Sequence, residues 1–392
     1  MKVGIIGGSA AGLYSAIFIK KRRPDFSVCI YEKNDRVGRK LASTGNGHCN
    51  LLNKRLDSTR YFGNPLVDSL LKKHPYTELE GTLKSLGLSL LYQGDLVYPL
   101  NYHAPTYVRF LEEIALSLGV EIRCGARVEG YEHKSGDFVL NVNGEEEHVG
   151  RLIVCVGGKS QKNLGSDGLF FDELKRHGYA ISPLMPGLCP IKTKEKLKSL
   201  SGLRHKAAIR VEANGRAIYG EQGEILFKDD GLSGIAIMNA SSYIAHSKER
   251  DNIEIHVDLF PQYDSIQLER MMLRVFESSP SFFLDGILER PLKEYVLFSC
   301  RLHKKETLEK EDIKAIARAL KTMVFHYDSS YPFDASQVTI GGVCLSEIDE
   351  VLDSKREKGL FFAGEVLDVD GMCGGYNLSF ALLSALEVAA YV

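Results

Sequence analysis

The sequence predicts an α/β protein in which a parallel-sheet domain, begun at the N-terminus and completed at the C-terminus, is interrupted by an antiparallel module. Three observations carry this expectation. Residues 3–32 run as buried strand, glycine turn, helix, strand and acid within about thirty residues. Residues 359–391 repeat the logic as a strand, a glycine loop and an alanine-rich apolar helix. From about residue 188 the pattern changes to alternation of period two, followed by charged segments of helical period. The 392 residues allow two or three domains and a large core. The expected division is 1–187 for the first part of the parallel-sheet domain, 188–334 for the inserted module and 335–392 for the return.

Composition narrows the function classes. Lysine plus arginine (49) balances aspartate plus glutamate (51), leaving a net charge of -2. That gives no global attraction to nucleic acid or to an anionic membrane. The eight cysteines form no C-x-x-C pair and no Cys/His cluster of zinc spacing, so no metal site is expected and the thiols read as reduced. The first nineteen residues are apolar, but Lys20-Lys21-Arg22-Arg23 follows the run, whereas a signal peptide carries its charge before it. No other run reaches the eighteen or so apolar residues that cross a bilayer. The expectation is a cytoplasmic protein acting on a small molecule, with no nucleic-acid or membrane partner. Its oligomeric state is open.

The opening turn has a physical job at each position. Val3-Gly4-Ile5-Ile6 reads as a strand buried on both faces. Gly7 allows the tight turn, and Gly12 lets the helix approach the strand. Ala10 and Ala11 complete the turn, and the helix that follows, with apolar spacing over Leu13 to Lys21, offers free N–H groups and a dipole that suit phosphates. Ser9 stands where the fingerprint usually has its middle glycine; it is small, and its hydroxyl can donate to phosphate. Residues 27–31 form the second strand. Glu32, followed by Lys33, lies where a carboxylate can accept both hydroxyls of an adenosine ribose. The turn alone leaves NAD and FAD open.

Two further glycine loops decide between them. In residues 38–50, Arg39 and Lys40 can neutralise phosphate. Thr44, Gly45, Asn46, Gly47, Cys49 and Asn50 form a polar loop whose backbone can meet a flavin ring. Near the other end, Gly364-Glu365 follows a strand, and Gly375, Tyr376, Asn377 and Leu378 open the last helix, whose N-terminus suits the flavin pyrimidine oxygen. A site closed from both termini points to FAD.

These segments resemble a known family. GRKLASTGNGHCNLLN (38–53), VYPLNYHAPTYVRFL (97–111), GGKSQKNLGSDGLFFDELKRHGY (157–179), GEILFKDDGLSGIAIMNAS (223–241), ASQVTIGGV and GLFFAGEVLDVDGMCGGYNLSFA follow in order through residue 381. The chain resembles the BaiN/RdsA family of NAD(P)/FAD-dependent, aminoacetone-oxidase-like flavoproteins almost end to end. The resemblance implies a glutathione-reductase-like FAD domain with an inserted β-barrel-like domain and a small helical domain at about 264–326. It implies the Val128 backbone beside the adenine and Gly157-Gly158 as a cofactor-facing turn. It also implies reduction of an activated C=C bond, as in steroid enones, or amine oxidation. The chain departs from the family at Ser9, His48, Gln161-Lys162, Ile235 and Ala385.

The rest of the chain supplies the module. Residues 105–118 read as an amphipathic helix, 120–124 and 126–131 as strands, and Asn143-Gly144 as a hairpin turn. Residues 204–212 and 253–259 alternate, with a turn at Asn214-Gly215, and 264–278, 284–298 and 309–326 have helical period. No second G-x-G-x-x-G sits in a strand-helix-acid context, so NAD(P)H, if it is the donor, must deliver electrons transiently at the flavin face. Cys49 and Cys373 read either as a redox pair or a thiolate touching the flavin ring, or as two small, partly buried side chains. His48 reads as a proton donor beside the flavin or as a loop or phosphate contact, and Tyr98, Tyr102 and His103 as cleft-lining or packing. No catalytic acid or base is assigned. A flavin-dependent RNA-modifying enzyme and a non-catalytic flavoprotein are the rival classes.

Overall fold

The computed structural model describes residues 1–134 and 136–392. It divides into two compact units, Met1–Met185 with Ser336–Val392, and Pro186–Ala335.

In the first unit the strand Lys2–Ile6 lies at the centre of a five-stranded sheet ordered Leu360–Phe362, Arg151–Val154, Lys2–Ile6, Ser27–Glu32, Glu121–Cys124. All its pairings are parallel, with Ile5 opposite Ile153 on one side and Ile30 on the other. Burial on both faces explains the unbroken apolar runs: Val3, Ile5, Ile30, Ile153 and Phe362 are all fully buried. The helix Ala10–Arg22 returns from the first strand and packs against the helix Tyr376–Tyr391. The two ends of the chain therefore share one core. The hairpin at Asn143-Gly144 forms as expected, with φ of 52° and 86°, joining Asp137–Val142 to Glu145–Val149. Residues 64–85, which carry no assignment above, hold the helices Asn64–Lys73 and Tyr76–Ser85 beside a small sheet of Leu52–Asn53, Leu96–Pro99 and Leu90–Gln93.

The second unit is a closed six-stranded barrel. Its order is Ile191–Thr193, Gly231–Ser233, Arg216–Lys228, Arg204–Ala213, Ile253–Asp258, Met323–Ser330. Val211, Ile225, Phe227, Ile255 and Phe325 fill it, while alternate residues face out. The helices Ser265–Ser278, Arg290–Ser299 and Lys310–Lys321 pack on the same core.

Two expected helices are shorter than their patterns. The third stops at Lys321, and Met323–Ser330 is a strand. Met323 and Phe325 point inward while Val324 and His326 point out, so a period of two overrides the helical pattern there. The second begins at Arg290, where Pro291 occupies the first turn and Glu289 the cap. The strand expected at 126–131 is Val128–Lys134.

Candidate functional site: a dinucleotide cradle closed by both ends of the chain

The opening turn is as tight as its glycines imply. A methyl group on Gly12 would sit 1.9 Å from the Gly7 carbonyl oxygen, and one on Gly7 (φ +101°) 2.5 Å from the Cys155 carbonyl oxygen. Ser9 meets no such demand. Its φ of -98° and ψ of -159° are ordinary for an L-residue, so a side chain is tolerated where the fingerprint usually has glycine. Ser9 is the N-cap of the first helix, yet its hydroxyl makes no capping bond and the first turn holds no acid. The first-turn N–H groups at Ala10 and Ala11 therefore keep their positive end for an outside anion.

Glu32 is buried beside this turn. One carboxylate oxygen accepts the Gly8 N–H at 2.8 Å; the other accepts the Asn34 N–H at 2.8 Å and its side-chain amide at 2.5 Å. The carboxylate is thus held in place with lone-pair capacity to spare for a ribose hydroxyl. Asn34 carries no fingerprint, and the sequence reading missed it. Lys33 forms an ion pair with Asp167 at 2.7 Å. Arg39 donates to the Asn163 carbonyl at 2.9 Å and the Asn34 side chain at 3.3 Å. Both cations are already engaged by the protein. Val128 is buried and its strand pairs with Asp137–Val142.

Lys40 joins the two chain ends. Its ammonium lies 2.8 and 3.0 Å from the two oxygens of Glu365. Glu365 also accepts the Thr339 N–H at 2.8 Å. The Thr339 hydroxyl accepts the N–H groups of Lys159 (2.7 Å) and Ser160 (3.0 Å), and the buried Ser160 and Ser336 hydroxyls continue the chain. Gly158 must be glycine here, because a methyl would lie 2.2 Å from the Thr339 hydroxyl. A Cβ on Gly157 (φ +70°) would lie 3.7 Å from a Glu365 carboxylate oxygen. Gly364 (φ +77°) donates its N–H to Ser384 at 2.9 Å, and its Cβ would lie 2.8 Å from that of Ala11. The C-terminal loop is thereby seated on the N-terminal helix. Thr339 and Ser160 lie inside segments noted in the sequence, but nothing in the spacing marks them as partners.

The polar loop after Lys40 adopts left-handed backbone in sequence at Gly45 (φ 55°), Asn46 (54°) and Gly47 (85°). A side chain would meet nothing within 4 Å at Gly47, so backbone is presented to open space. Thr44 donates its hydroxyl to the Leu41 carbonyl at 2.7 Å. Asn50, with its amide oriented to satisfy its neighbours, accepts the Gly375 N–H at 3.2 Å and donates to the Leu52 carbonyl at 3.1 Å. Asn53 donates to the Gly374 carbonyl at 2.9 Å. Asn377 braces its own loop, exchanging two bonds with the Gly371 backbone at 2.7 and 2.8 Å. Tyr376 is buried, Leu378 half-buried, and the helix they open has Gly375 (φ 92°) as its cap, no capping side chain and no acid in its first turn.

Cys49 is fully buried, and burial pushes its thiol up to about 12. It stays protonated at neutral pH, which removes the thiolate reading. His48 stacks on Tyr102 with ring centroids 3.9 Å apart, and its Nδ1 lies 3.0 Å from the Tyr102 carbonyl oxygen. Tyr98 meets Tyr102 edge-on at 4.9 Å. His103 accepts the Thr106 N–H and caps the helix Ala104–Ser117, a structural role.

The residues present fit a dinucleotide. A glycine turn, an uncapped helix start, a positioned acid and backbone-presenting loops surround one region of the first unit. No helix among the described residues is long and apolar enough to cross a membrane.

Known proteins agree with this frame. The family described as HI0933-like protein Rossmann domain matches residues 1–391. A 3-dehydro-bile acid delta(4,6)-reductase of Clostridium scindens is 31% identical, covering 97% of this chain and 96% of that protein. A ribosomal RNA dihydrouridine synthase of Haemophilus influenzae is 27% identical, covering 98% and 96%. Among solved structures, a 3-ketosteroid-delta4-(5alpha)-dehydrogenase from Rhodococcus jostii matches with a TM-score of 0.54 at 14% identity, covering 100% of this chain and 96% of that one. That last likeness is one of fold. By its matched length and its relatives, the chain belongs to the HI0933-like family, a family of FAD-dependent oxidoreductases built on a Rossmann domain.

Proposed function

We propose that this protein saturates a C=C bond conjugated to a carbonyl group in a small organic molecule, using FAD reduced by NAD(P)H. The observation that carries this reading is the end-to-end relationship, at 31% identity, to a protein named as a delta(4,6)-reductase of a 3-dehydro-bile acid. Bound FAD supplies hydride transfer in either direction, and the protein supplies binding and orientation. Gly7, Ser9, Ala10, Ala11 and Gly12 would hold the pyrophosphate, with Glu32 on the adenosine ribose and the Val128 backbone beside the adenine. Lys40, Gly157, Gly158, Gly364 and Glu365 would line the middle of the cofactor. Thr44, Gly45, Asn46, Gly47, Asn50, Gly375, Tyr376, Asn377 and Leu378 would surround the ring, with Cys49 packed beneath the loop as a neutral thiol. Lys33 and Arg39 would act on phosphate charge at longer range, through the groups they already pair with.

A second reading keeps the bond chemistry and changes the carrier. Relatives at 27% and 25% identity are named ribosomal RNA dihydrouridine synthase, and a uracil ring offers the same kind of conjugated C=C bond. The balanced net charge of -2 favours the small molecule over RNA.

Anaerobic stopped-flow mixing with NADH or NADPH, followed by a steroid-type enone, tests the proposal. Bleaching of the flavin band by a nicotinamide and its return on adding the enone is the expected result. Bleaching with no return on the enone, but dihydrouridine formed in ribosomal RNA, would move the assignment to the second reading. A flavin that ignores both nicotinamides would overturn the reductase reading and direct attention to amine oxidation or a non-catalytic role.

A further inference from the structure

The barrel unit holds a side-chain cluster that the flavin chemistry does not use. Strands Arg204–Ala213 and Ile253–Asp258 place Glu212 directly opposite Glu254, and Arg210 opposite His256. All four point away from the barrel core, since Val211, Ile253, Ile255 and Val257 take the inward positions. The pairing of Arg204–Ala213 with the next strand shifts register between Val211 and Glu212, an irregularity of the kind that re-aims a side chain.

The result is convergent. His256 Nε2 lies 3.3 Å from Glu212 Oε2 and 3.2 Å from Glu254 Oε2. That nitrogen is shielded from solvent, yet it makes no hydrogen bond, because neither oxygen lies where an N–H would be satisfied. The three ligand atoms lie within 4.8 Å of one another. Ligands about 2.0–2.2 Å from a tetrahedral ion are about 3.3–3.6 Å apart, so the two separations from His256 suit one ion between the three groups. The far oxygen of each carboxylate faces a different partner. Arg210 pairs with Glu212 Oε1, and His326 Nε2 lies 3.8 Å from Glu254 Oε1. His326 is oriented in turn by Glu195, whose carboxylate is 2.6 Å from its Nδ1 and accepts its backbone N–H at 3.0 Å. Outer partners of this kind turn the near oxygens towards a shared point.

We propose that His256, Glu212 and Glu254 bind one divalent transition ion of the zinc class on the outer face of the barrel. The imidazole selects against calcium and magnesium, which take oxygen ligands. Three protein ligands leave a fourth position for water. The ion would tie the Arg204–Ala213 strand to the Ile253–Asp258 strand, neighbours in the barrel that are not consecutive in the chain. No spacing rule read along the chain could find such a site.

The test uses the full-length, FAD-containing protein after chelator treatment, titrated with zinc by calorimetry. Wild type is expected to take up one equivalent that is lost, or weakened at least tenfold, in both His256→Ala and Glu254→Gln. Zinc-edge X-ray absorption of the loaded wild type adds a readout that does not depend on the variants folding. It is expected to show nitrogen and oxygen at about 2.0–2.1 Å including an imidazole. No zinc uptake by wild type, uptake unchanged in both variants, or a sulfur neighbour at about 2.3 Å would each overturn the proposal.

Discussion

Gly12 and Gly231 obey the same steric rule in the two units. At each, an added methyl group would lie 1.9 Å from a backbone carbonyl oxygen, that of Gly7 in one case and Ile191 in the other. The consequences of the close approach differ. At Gly12 it presses the start of a helix against the end of a strand and shapes the turn proposed above to hold the pyrophosphate. At Gly231 it presses a three-residue strand against Ile191–Thr193 and closes a barrel. Two identical packing demands therefore separate into one that serves a ligand and one that serves the fold.

Substitution should expose that separation with the largest effects. Gly12→Ala forces a backbone shift that no rotamer change can absorb, and overpacking of this kind costs about 1–3 kcal/mol or more. Flavin should be lost, read as the ratio of flavin to protein absorbance. Gly231→Ala carries the same steric cost and should lower the thermal midpoint while FAD stays bound. Retention of FAD by Gly12→Ala would break the contrast, as would its loss from a folded Gly231→Ala protein.

The contrast also explains what was legible in the sequence. Gly12 and Glu32 were readable because Gly12 answers to a residue a few positions away and Glu32 to a fixed strand-helix-strand length; Gly7 was marked by its place in the glycine turn, although the atom that excludes a side chain there belongs to Cys155. Asn143-Gly144 and Asn214-Gly215 were readable for the same local reason, and both pairs have positive φ. Thr339 and Ser160 were not, because their bond joins residues 179 positions apart. The overlong helix at 309–326 failed where barrel packing took over at Met323, since the facing strand Ile253–Asp258 is invisible to a local period. His103 was open to cleft-lining or packing; it is exposed and caps a helix through Thr106, a role that neither reading named.

The next effects come from polar anchors, one in each unit. Thr339→Val leaves the N–H groups of Lys159 and Ser160 without the hydroxyl that accepts them, at about 1–3 kcal/mol for the buried Ser160 donor and less for the part-buried one at Lys159. Lys321→Met removes an ammonium that donates to Asp258 and to the carbonyls of Phe260 and Tyr263, at about 1.5–3 kcal/mol for a charged hydrogen-bonding group. Thermal melts should fall for both. Only Thr339→Val should also weaken FAD binding, because the Thr339 hydroxyl ties the turn after Gly157-Gly158 to the strand whose backbone N–H holds Glu365 beside Lys40.

A smaller effect concerns thiols. With its thiol pushed up to about 12 by burial, Cys49 should resist alkylation at pH 8 in the native protein, whereas the exposed Cys124 should react. Mass spectrometry after timed iodoacetamide treatment reads both. Native labelling of Cys49 ahead of Cys124 would show that the loop opens on the timescale of the reagent.

The smallest effect lies at the sheet periphery, where an open sheet has a need that a closed barrel lacks. Glu121–Cys124 is the outermost strand on its side of the parallel sheet, and edge strands are protected by charge. There Glu147 meets Lys2 at 2.6 Å and Arg123 at 2.5 Å. Hydrogen bonds from Lys2, then Arg123, hold its carboxyl down to about 2. A carboxyl depressed on folding stabilises the fold fully above its unfolded value near 4.5, and that contribution is lost as pH falls towards 2. The pair is partly solvated, with 22% of the Glu147 side chain exposed, so screening leaves about 1 kcal/mol or less. Glu147→Gln should therefore melt slightly below wild type at pH 7, and the gap should narrow at pH 3.5. A gap of equal size at both values would mean that Glu147 acts through packing, and that the periphery of the open sheet is held as the barrel is, by shape rather than by charge.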